Sequence, residues 1–182
     1  MKKIILAITL IAVAVASRLL PHQPNFTAVL AAALFAGAYL SGSLATFVAL
    51  ASMAVSDAMM GYYNPQSMAF DYSAMVLVML VGMSLTMNGR KIDGKRVISA
   101  PLAGSIAGSI LFFVISNLGV FLSGELYPLT WSGLVACYVA AIPFFRNTIL
   151  STLTFSLVLF ASYEVALKAI RGGKPLKRIS YS

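Results

Sequence analysis

Long apolar runs make up most of this chain, and the charges within them stand only near the ends of the runs. Apolar residues account for 60% of the 182 residues and charged residues for 10%. Soluble domains carry about 25% charged residues. Only a lipid bilayer can cover so much apolar surface, so the composition predicts an integral membrane protein. At this length we expect a single domain over residues 1–182.

Six apolar segments, bounded by Pro, Gly or polar residues, predict six transmembrane helices in an all-α membrane protein. They cover residues 4–20, 26–40, 44–60, 71–87, 97–122 and 148–166. The first segment also fits a secretory signal, with basic residues before it and small residues at a possible cleavage site. A retained helix is the better interpretation, because Leu19 and Leu20 resume the apolar pattern almost at once.

One further apolar segment, residues 131–145, leaves the number of crossings open between six and seven. Basic residues concentrate on the cytoplasmic side of membrane proteins. Lys and Arg occur near the N-terminus, in residues 88–96 and in the C-terminal tail, whereas loops 21–25, 61–70 and 123–128 contain none. Only an even number of crossings puts every basic segment in the cytoplasm. We therefore expect six spans in the inner (plasma) membrane, both termini cytoplasmic, and residues 131–145 as a short helix at, or dipping into, the outer face.

Three charged residues, Arg18, Asp57 and Asp71, stand at the edges of apolar runs that this topology places on the outer side. A charge at the bilayer centre costs about 2.5–3.5 kcal/mol on insertion scales, so such charges tend to be paired or functional. Grouped at one side, they predict the mouth of a ligand site. With nearby polar and aromatic residues, the candidate ligand-binding set is Arg18, His22, Asn25, Asp57, Tyr62, Tyr63, Asp71, Asn117, Trp131 and Asn147.

Most members of this set also have an ordinary structural explanation. Arg18 could extend to lipid headgroups, and Asp57 could belong to a structural ion pair. Asp71, placed at the start of a predicted helix, is a natural N-cap. Asn117 could hydrogen-bond a neighbouring helix, and residues 21–25 could be a rigid turn. An aromatic belt at the membrane surface would explain the Tyr and Trp residues.

The residue content disfavours several classes of function. With one His and one Cys, the chain cannot form an internal disulfide or supply an ordinary four-ligand His/Cys zinc site. No catalytic or ATP-binding motif occurs, so we expect neither an enzyme nor a bound cofactor or metal. The net charge of +8 lies in loops and tails rather than in a groove, so we expect no nucleic-acid partner.

Three blocks of sequence resemble the substrate-binding (S) components of energy-coupling factor (ECF) vitamin transporters. Residues 17–27 (SRLLPHQPNFT), together with residues 33–40, resemble an uncharacterised group of membrane proteins related to S components. Residues 141–147 (AIPFFRN) are similar to the IPFN-type entry to the last helix in riboflavin-type S components. Ala12 and Ala16 match the alanine pair by which this family docks on its coupling subunit. The six-helix plan also agrees.

The resemblance implies capture of a small water-soluble nutrient, a vitamin or its precursor, at the outer face. Its partners would be a transmembrane coupling subunit and a pair of ATPases, besides membrane lipid, with Ala12 and Ala16 as the docking residues. Solitary cobalamin-transporting members resemble the N-terminal half but carry a cobalt-ligating cysteine before the fourth helix. Residues 67–71 (SMAFD) contain no cysteine here, and Arg146 and Asn147 depart from the usual Asn-Leu-Ile-Lys run.

Two other functions remain open. The chain could be a stand-alone transporter or facilitator, as the cobalamin-type solitary S components are, and uptake by cells without any coupling module would favour this. It could also be a structural or assembly subunit of a larger membrane complex. Stoichiometric co-purification with partners other than ATPases, and no bound small molecule, would favour that second possibility.

Overall fold

The computed structural model describes residues 2–170, apart from the side chains of Lys2 and Asn88. This part of the chain forms six α-helices: α1 (Lys2–Leu19), α2 (Val29–Tyr39), α3 (Gly42–Met60), α4 (Pro65–Ser84), α5 (Arg96–Leu122) and α6 (Trp131–Ile170). A 3-10 turn covers Met87–Gly89. Helices α3 to α6 are long and apolar enough to cross a membrane, which confirms an all-helical fold of membrane-protein character. The predicted basic tail after residue 170 lies outside the described residues.

The short helix α2 forms the centre of the bundle. It has 11 residues, and every residue from Val29 to Ala38 is buried. It packs against all five other α-helices. A helix of this length extends only about 16 Å, roughly half of the hydrocarbon core of a bilayer. Because it is apolar on every side, α2 is stable only when the other helices surround it.

Two glycines bring the backbones of α2 and α4 into direct contact. A Cβ atom added to Gly37 would lie 2.0 Å from the carbonyl oxygen of Met79. A Cβ atom added to Gly82 would lie 2.0 Å from the carbonyl oxygen of Leu34. Only glycine permits so close an approach, which is a common device of helix packing in membranes. Gly104 and Gly108 also face this core, where added Cβ atoms would meet the side chains of Leu34 and Val78.

Neighbouring helices in the sequence run in opposite directions, and α2 fills only one end of the bundle. Leu34 packs beside Gly82 of α4 and Gly104 of α5. At 1.5 Å per residue, the start of α2 at Val29 lies about 20 Å short of the end of α5 at Leu122. The non-helical residues 20–28 and a cavity occupy this missing length. We refer to this end as the cavity end and to the other as the α2 end.

Helix α4 begins six residues earlier than the sequence indicated. Asn64 is its N-cap, with its side-chain oxygen accepting a hydrogen bond from the backbone nitrogen of Ser67 at 3.0 Å, and Pro65 is its first residue. Asn before Pro is a favourable helix start, because proline lacks only a hydrogen that has no partner there. The expectation that Asp71 is the N-cap is therefore wrong. Asp71 lies within α4, and its side chain is free for other contacts.

The segment 131–145 is not a separate helix. It is the first part of α6, which continues without interruption for 40 residues, or about 60 Å. The expectation of a distinct short helix before the last span is therefore wrong. Pro143 lies inside α6, and transmembrane helices tolerate proline where surrounding groups stabilise the freed backbone. Contacts on both sides of Pro143 hold α6 in place: Tyr138 donates to the Val114 carbonyl at 2.6 Å, and Asn147 to the Pro24 carbonyl at 2.9 Å.

Aromatic rings close the α2 end of the bundle. Phe35 and Tyr39 of α2 pack against Phe160 and Tyr163 of α6, with ring centroids 4.5–5.4 Å apart. The Tyr39 hydroxyl donates a hydrogen bond to Glu164 at 2.9 Å. The last helix therefore seals α2 against the rest of the bundle, with Phe35 and Phe160 almost completely buried.

Candidate functional site

A buried ion pair links α1 to α3 at the cavity end. Nη1 of Arg18 lies 2.7 Å from Oδ1 of Asp57 and also donates to the hydroxyl of Ser56. The second oxygen of Asp57 accepts a hydrogen bond from Tyr72 of α4 at 2.9 Å. Asp57 is 1% exposed, so its charge is fully removed from solvent and compensated by these contacts. The pair connects three helices and places the Arg18 side chain at the wall of the cavity.

The cavity has a volume of about 330 Å³, within the size range of small-molecule sites. Every α-helix contributes to its wall, together with the segment between α1 and α2. Met60 and Phe144 line it and remain about half exposed, so the cavity reaches the protein surface. It combines aromatic and aliphatic side chains with a few polar groups, the usual character of a ligand pocket.

Six of the ten candidate ligand-binding residues line this cavity. They are Arg18, His22, Asn25, Tyr63, Asp71 and Asn117. They come from the end of α1, the following segment, the α3–α4 connection, α4 and α5. Residues that are distant in the sequence therefore meet at one place.

Asp71 and Tyr63 form a second polar contact on the cavity wall. The Tyr63 hydroxyl donates to Oδ2 of Asp71 at 2.6 Å. Burial of the phenol, and then its hydrogen bond to the Asp71 carboxyl, raise the pKa of Tyr63 well above its usual range. Tyr63 therefore keeps its proton and remains a hydrogen-bond donor. Within residues 2–170, Asp71 has no cationic side chain in ion-pair contact.

Asn117 lines the cavity without joining two helices. Its side-chain nitrogen donates to the carbonyl of Phe113, one turn earlier in α5, at 2.7 Å. The expected helix–helix hydrogen bond from its side chain is absent among the described residues. Because the side-chain nitrogen of Asn117 makes this hydrogen bond within its own helix, the side-chain oxygen remains available as an acceptor for a ligand.

The segment between α1 and α2 is tied to α6. Asn147 donates to the carbonyl of Pro24, and Ser151 to that of Asn25 at 3.4 Å. Asn25 adopts a left-handed backbone conformation with φ of 62°, which Asn accommodates better than most residues. At the end of the segment, the Ala28 nitrogen donates to the hydroxyl of Ser17. Asn147 is thus outside the cavity lining but positions the segment that carries His22 and Asn25.

The other three candidates lie away from the cavity lining. Asp57 is behind Arg18 and acts through it. Tyr62 and Trp131 are 73% and 78% exposed. Their exposure fits the alternative explanation of an aromatic belt better than contact with a ligand in this cavity.

Sequence reasoning missed the aromatic wall. Phe112 and Phe113 of α5 and Phe144 and Phe145 of α6 line the cavity, and the rings of Phe113 and Phe145 lie 4.7 Å apart. In an apolar helix, Phe has the same hydropathy whether it meets lipid, protein or a ligand. Each of these two helices contains a pair of adjacent Phe residues, and the two pairs lie at the same depth in the bundle. This coincidence was the one feature of the sequence that could have indicated an aromatic wall.

The alanine pair of α1 is exposed. Ala12 and Ala16 lie one turn apart on the surface of the helix, whereas Ala14 between them is fully buried. This leaves a small-residue face of α1 open to another helix or to lipid.

Across residues 2–170, no group of three or more His, Cys, Asp or Glu side chains is arranged to hold a metal ion.

Comparison with known proteins provides a family but no described relative. No curated protein and no solved structure matches the chain. One family model matches residues 1–173, which is nearly the whole chain and includes every residue of the cavity wall. The chain therefore belongs to DUF6580, a family of unknown function.

Proposed function

We propose that this protein is the substrate-binding component of an ECF-type transporter, and that it captures a small water-soluble vitamin or related nutrient at the outer face of the plasma membrane. The observation that carries the proposal is the cavity between the end of α1 and the start of α2. It combines a compensated ion pair, further polar groups and an aromatic wall in one small pocket. Such a site suits binding rather than chemistry, since among the described residues no Ser or Thr hydroxyl and no Cys thiol of its wall is hydrogen-bonded to a His or carboxylate side chain.

The positive-inside rule supports an outward orientation of the cavity. The basic residues Arg90, Lys91 and Lys95 lie between α4 and α5, and Arg96 begins α5, at the end of the bundle opposite the cavity. With this end in the cytoplasm, successive helices alternate in direction and both termini are cytoplasmic. Helix α2 would then be a partial span, continued to the outer side by residues 20–28.

Uptake would require partners, because the chain contains no ATP-binding motif. We propose a transmembrane coupling subunit and two ATPases. The exposed Ala12 and Ala16 of α1 support a docking face on that helix, because small side chains let a partner helix approach closely.

The test is capture of a ligand followed by uptake. Native mass spectrometry of the gently solubilised protein should detect an adduct of defined mass. The Arg18→Ala and Asp57→Ala variants should lose it while remaining folded. Cells should accumulate the same compound only when the ATPase module is present. Retention of full affinity in both folded variants would show that the cavity is not the binding site.

A buried row of hydroxyls favours one alternative, a stand-alone transporter. Ser105 and Ser109 of α5 and Thr152 and Ser156 of α6 are buried, and the Ser105 hydroxyl donates to the Thr152 carbonyl at 3.2 Å. The hydroxyls of Ser109 and Ser156 are buried without a hydrogen-bond partner among the described residues. Unpaired buried hydroxyls commonly hold water, so this row could extend a polar path inward. Uptake without any ATPase, abolished by Ser109→Val, would favour this alternative.

A further inference from the structure

The charge balance of the cavity narrows the class of ligand. We propose that the cavity selects an organic cation and that the Asp71 carboxylate is the counter-ion for its positive charge. This inference rests on the proposed function, since it describes the substrate of that same site.

Arg18 brings no free positive charge to the cavity. Its Nη1 atom is 2.7 Å from Oδ1 of Asp57, which is itself 1% exposed. An ion pair at this distance behaves towards a ligand as a dipole rather than as a net charge. An anionic ligand would have to compete with Asp57 for the guanidinium. The loss would be large, because it would leave a buried carboxylate without its partner.

Asp71 provides the charge that remains. Its side chain lines the cavity, and its hydrogen-bond partner is the neutral phenol of Tyr63 at 2.6 Å. With Arg18 and Asp57 cancelling, Asp71 is the one uncompensated charge among the Asp, Glu, Lys and Arg side chains of the cavity wall. The Lys and Arg residues other than Arg18 lie outside the cavity lining within the described chain. A positively charged ligand would therefore supply the missing partner.

The rings around Asp71 fit the same chemistry. Tyr63, Phe112, Phe113, Phe144 and Phe145 line one cavity with the carboxylate. The negative face of an aromatic ring attracts a cation, most strongly when both are removed from water, and quaternary ammonium groups are often held this way. A carboxylate among aromatic rings therefore favours a ligand with a delocalised or alkylated cationic nitrogen and an apolar body over a compact inorganic cation.

The experiment compares ligands of equal shape and different charge. The probes are 1-methylnicotinamide (cationic), 3-methylbenzamide (neutral) and 3-methylbenzoate (anionic), with choline and 3,3-dimethyl-1-butanol as a second pair. Dissociation constants are measured by titration calorimetry on the full chain in a non-ionic detergent. Phosphatidylcholine is avoided because its headgroup would compete. We expect each cation to bind about tenfold or more tightly than its neutral isostere, because only the cation is attracted by the Asp71 carboxylate and by the faces of the aromatic rings.

Variants assign the preference to one carboxylate. In Asp71→Asn the ratio between cation and neutral isostere should fall to about one, whereas Asp71→Glu should retain it. Asp93→Asn, the same change in the exposed loop at the opposite end, is the matched control and should leave the ratio unchanged. If Asp71→Asn does not fold, the wild-type ratio still tests whether the cavity prefers a cation. The Asp71→Glu ratio then tests whether a carboxylate at position 71 retains that preference.

Several results would overturn the inference. They are equal or tighter binding of the neutral or anionic probes, a cation preference that persists in Asp71→Asn, or no binding of either cation at millimolar concentration. A natural adduct found by mass spectrometry to be neutral or anionic would refute the cation preference while leaving nutrient capture intact. Absence of any bound or transported compound would instead refute the proposed function itself.

Discussion

The two ends of the bundle are built from the same helices but in opposite ways. At the α2 end, Gly37 and Gly82 bring backbones into contact, and aromatic rings fill the remaining space. At the cavity end, α2 begins only at Val29, and the non-helical segment before it and the surrounding helices line a cavity of about 330 Å³. The comparison teaches that the length of one central helix determines where the protein is closely packed and where it has room for a ligand.

The largest effect is expected where the backbones touch. Gly82→Leu places a side chain where even a Cβ atom would lie 2.0 Å from the Leu34 carbonyl oxygen. Rigid backbone cannot give way as a flexible side chain can, so we expect loss of folded protein rather than a moderate change in stability. Size-exclusion chromatography after solubilisation would measure it. Gly42→Ala is the control, since an added Cβ meets nothing within 4 Å. A monodisperse Gly82→Leu protein would contradict the close packing of the α2 end.

The next effect concerns the ion pair at the cavity end. Asp57→Ala leaves the Arg18 guanidinium without its partner, and breaking a buried pair costs about 3–5 kcal/mol. The double variant Arg18→Met/Asp57→Leu removes both charges and should recover much of this stability without recovering ligand affinity. Thermal unfolding in detergent, alongside ligand binding, would check both. If the double variant were as unstable as Asp57→Ala, the cost would come from packing rather than from an unpaired charge.

A smaller effect should show whether the two ends of the bundle unfold locally and independently of each other. Asn147→Ala removes the hydrogen bond to the Pro24 carbonyl, and Tyr39→Phe removes the one to Glu164. Each change should reduce stability by about 0.5–1.5 kcal/mol. Hydrogen exchange should increase in residues 20–28 for Asn147→Ala and leave that segment unchanged for Tyr39→Phe. Similar exchange in that segment for both variants would show that the two ends open together.

The smallest effect marks the boundary of the site. Trp131→Leu and Tyr62→Phe change side chains that are exposed and outside the cavity lining. We expect the free energy of unfolding to change by less than about 0.5 kcal/mol, and ligand affinity to remain the same. A tenfold loss of affinity in either variant would extend the ligand site beyond the cavity.

Sequence reasoning succeeded where charge or hydropathy changed along the chain. It located the helical segments and grouped Arg18, Asp57 and Asp71, because charges are rare in apolar runs. It failed where one residue type has two opposite uses. Pro65 starts α4, and Pro143 lies inside α6, although proline next to or within an apolar segment commonly indicates a break. Only the packing around each proline distinguishes these uses.

The central position of α2 could not be deduced from its composition. Its alanines and leucines resemble those of any apolar helix, and its shortness alone did not indicate that five helices surround it. The aromatic wall was missed for the same reason. The rotation of a helix about its own axis determines which of its sides faces a cavity. In a membrane the sides that face lipid and the sides that face protein are both apolar, so the spacing of apolar residues does not indicate this rotation.

The burial of α2 also sets an order for the synthesis of the chain. Helix α2 is among the first segments to leave the ribosome, yet its Tyr39 makes its hydrogen bond with Glu164, 125 positions later. Phe160 of the last helix covers Phe35 in the same way. An 11-residue apolar helix is too short to hold a place across the bilayer alone. The helices that are synthesised first therefore remain in the membrane without the full packing around α2 until α6 has been synthesised and supplies its contacts.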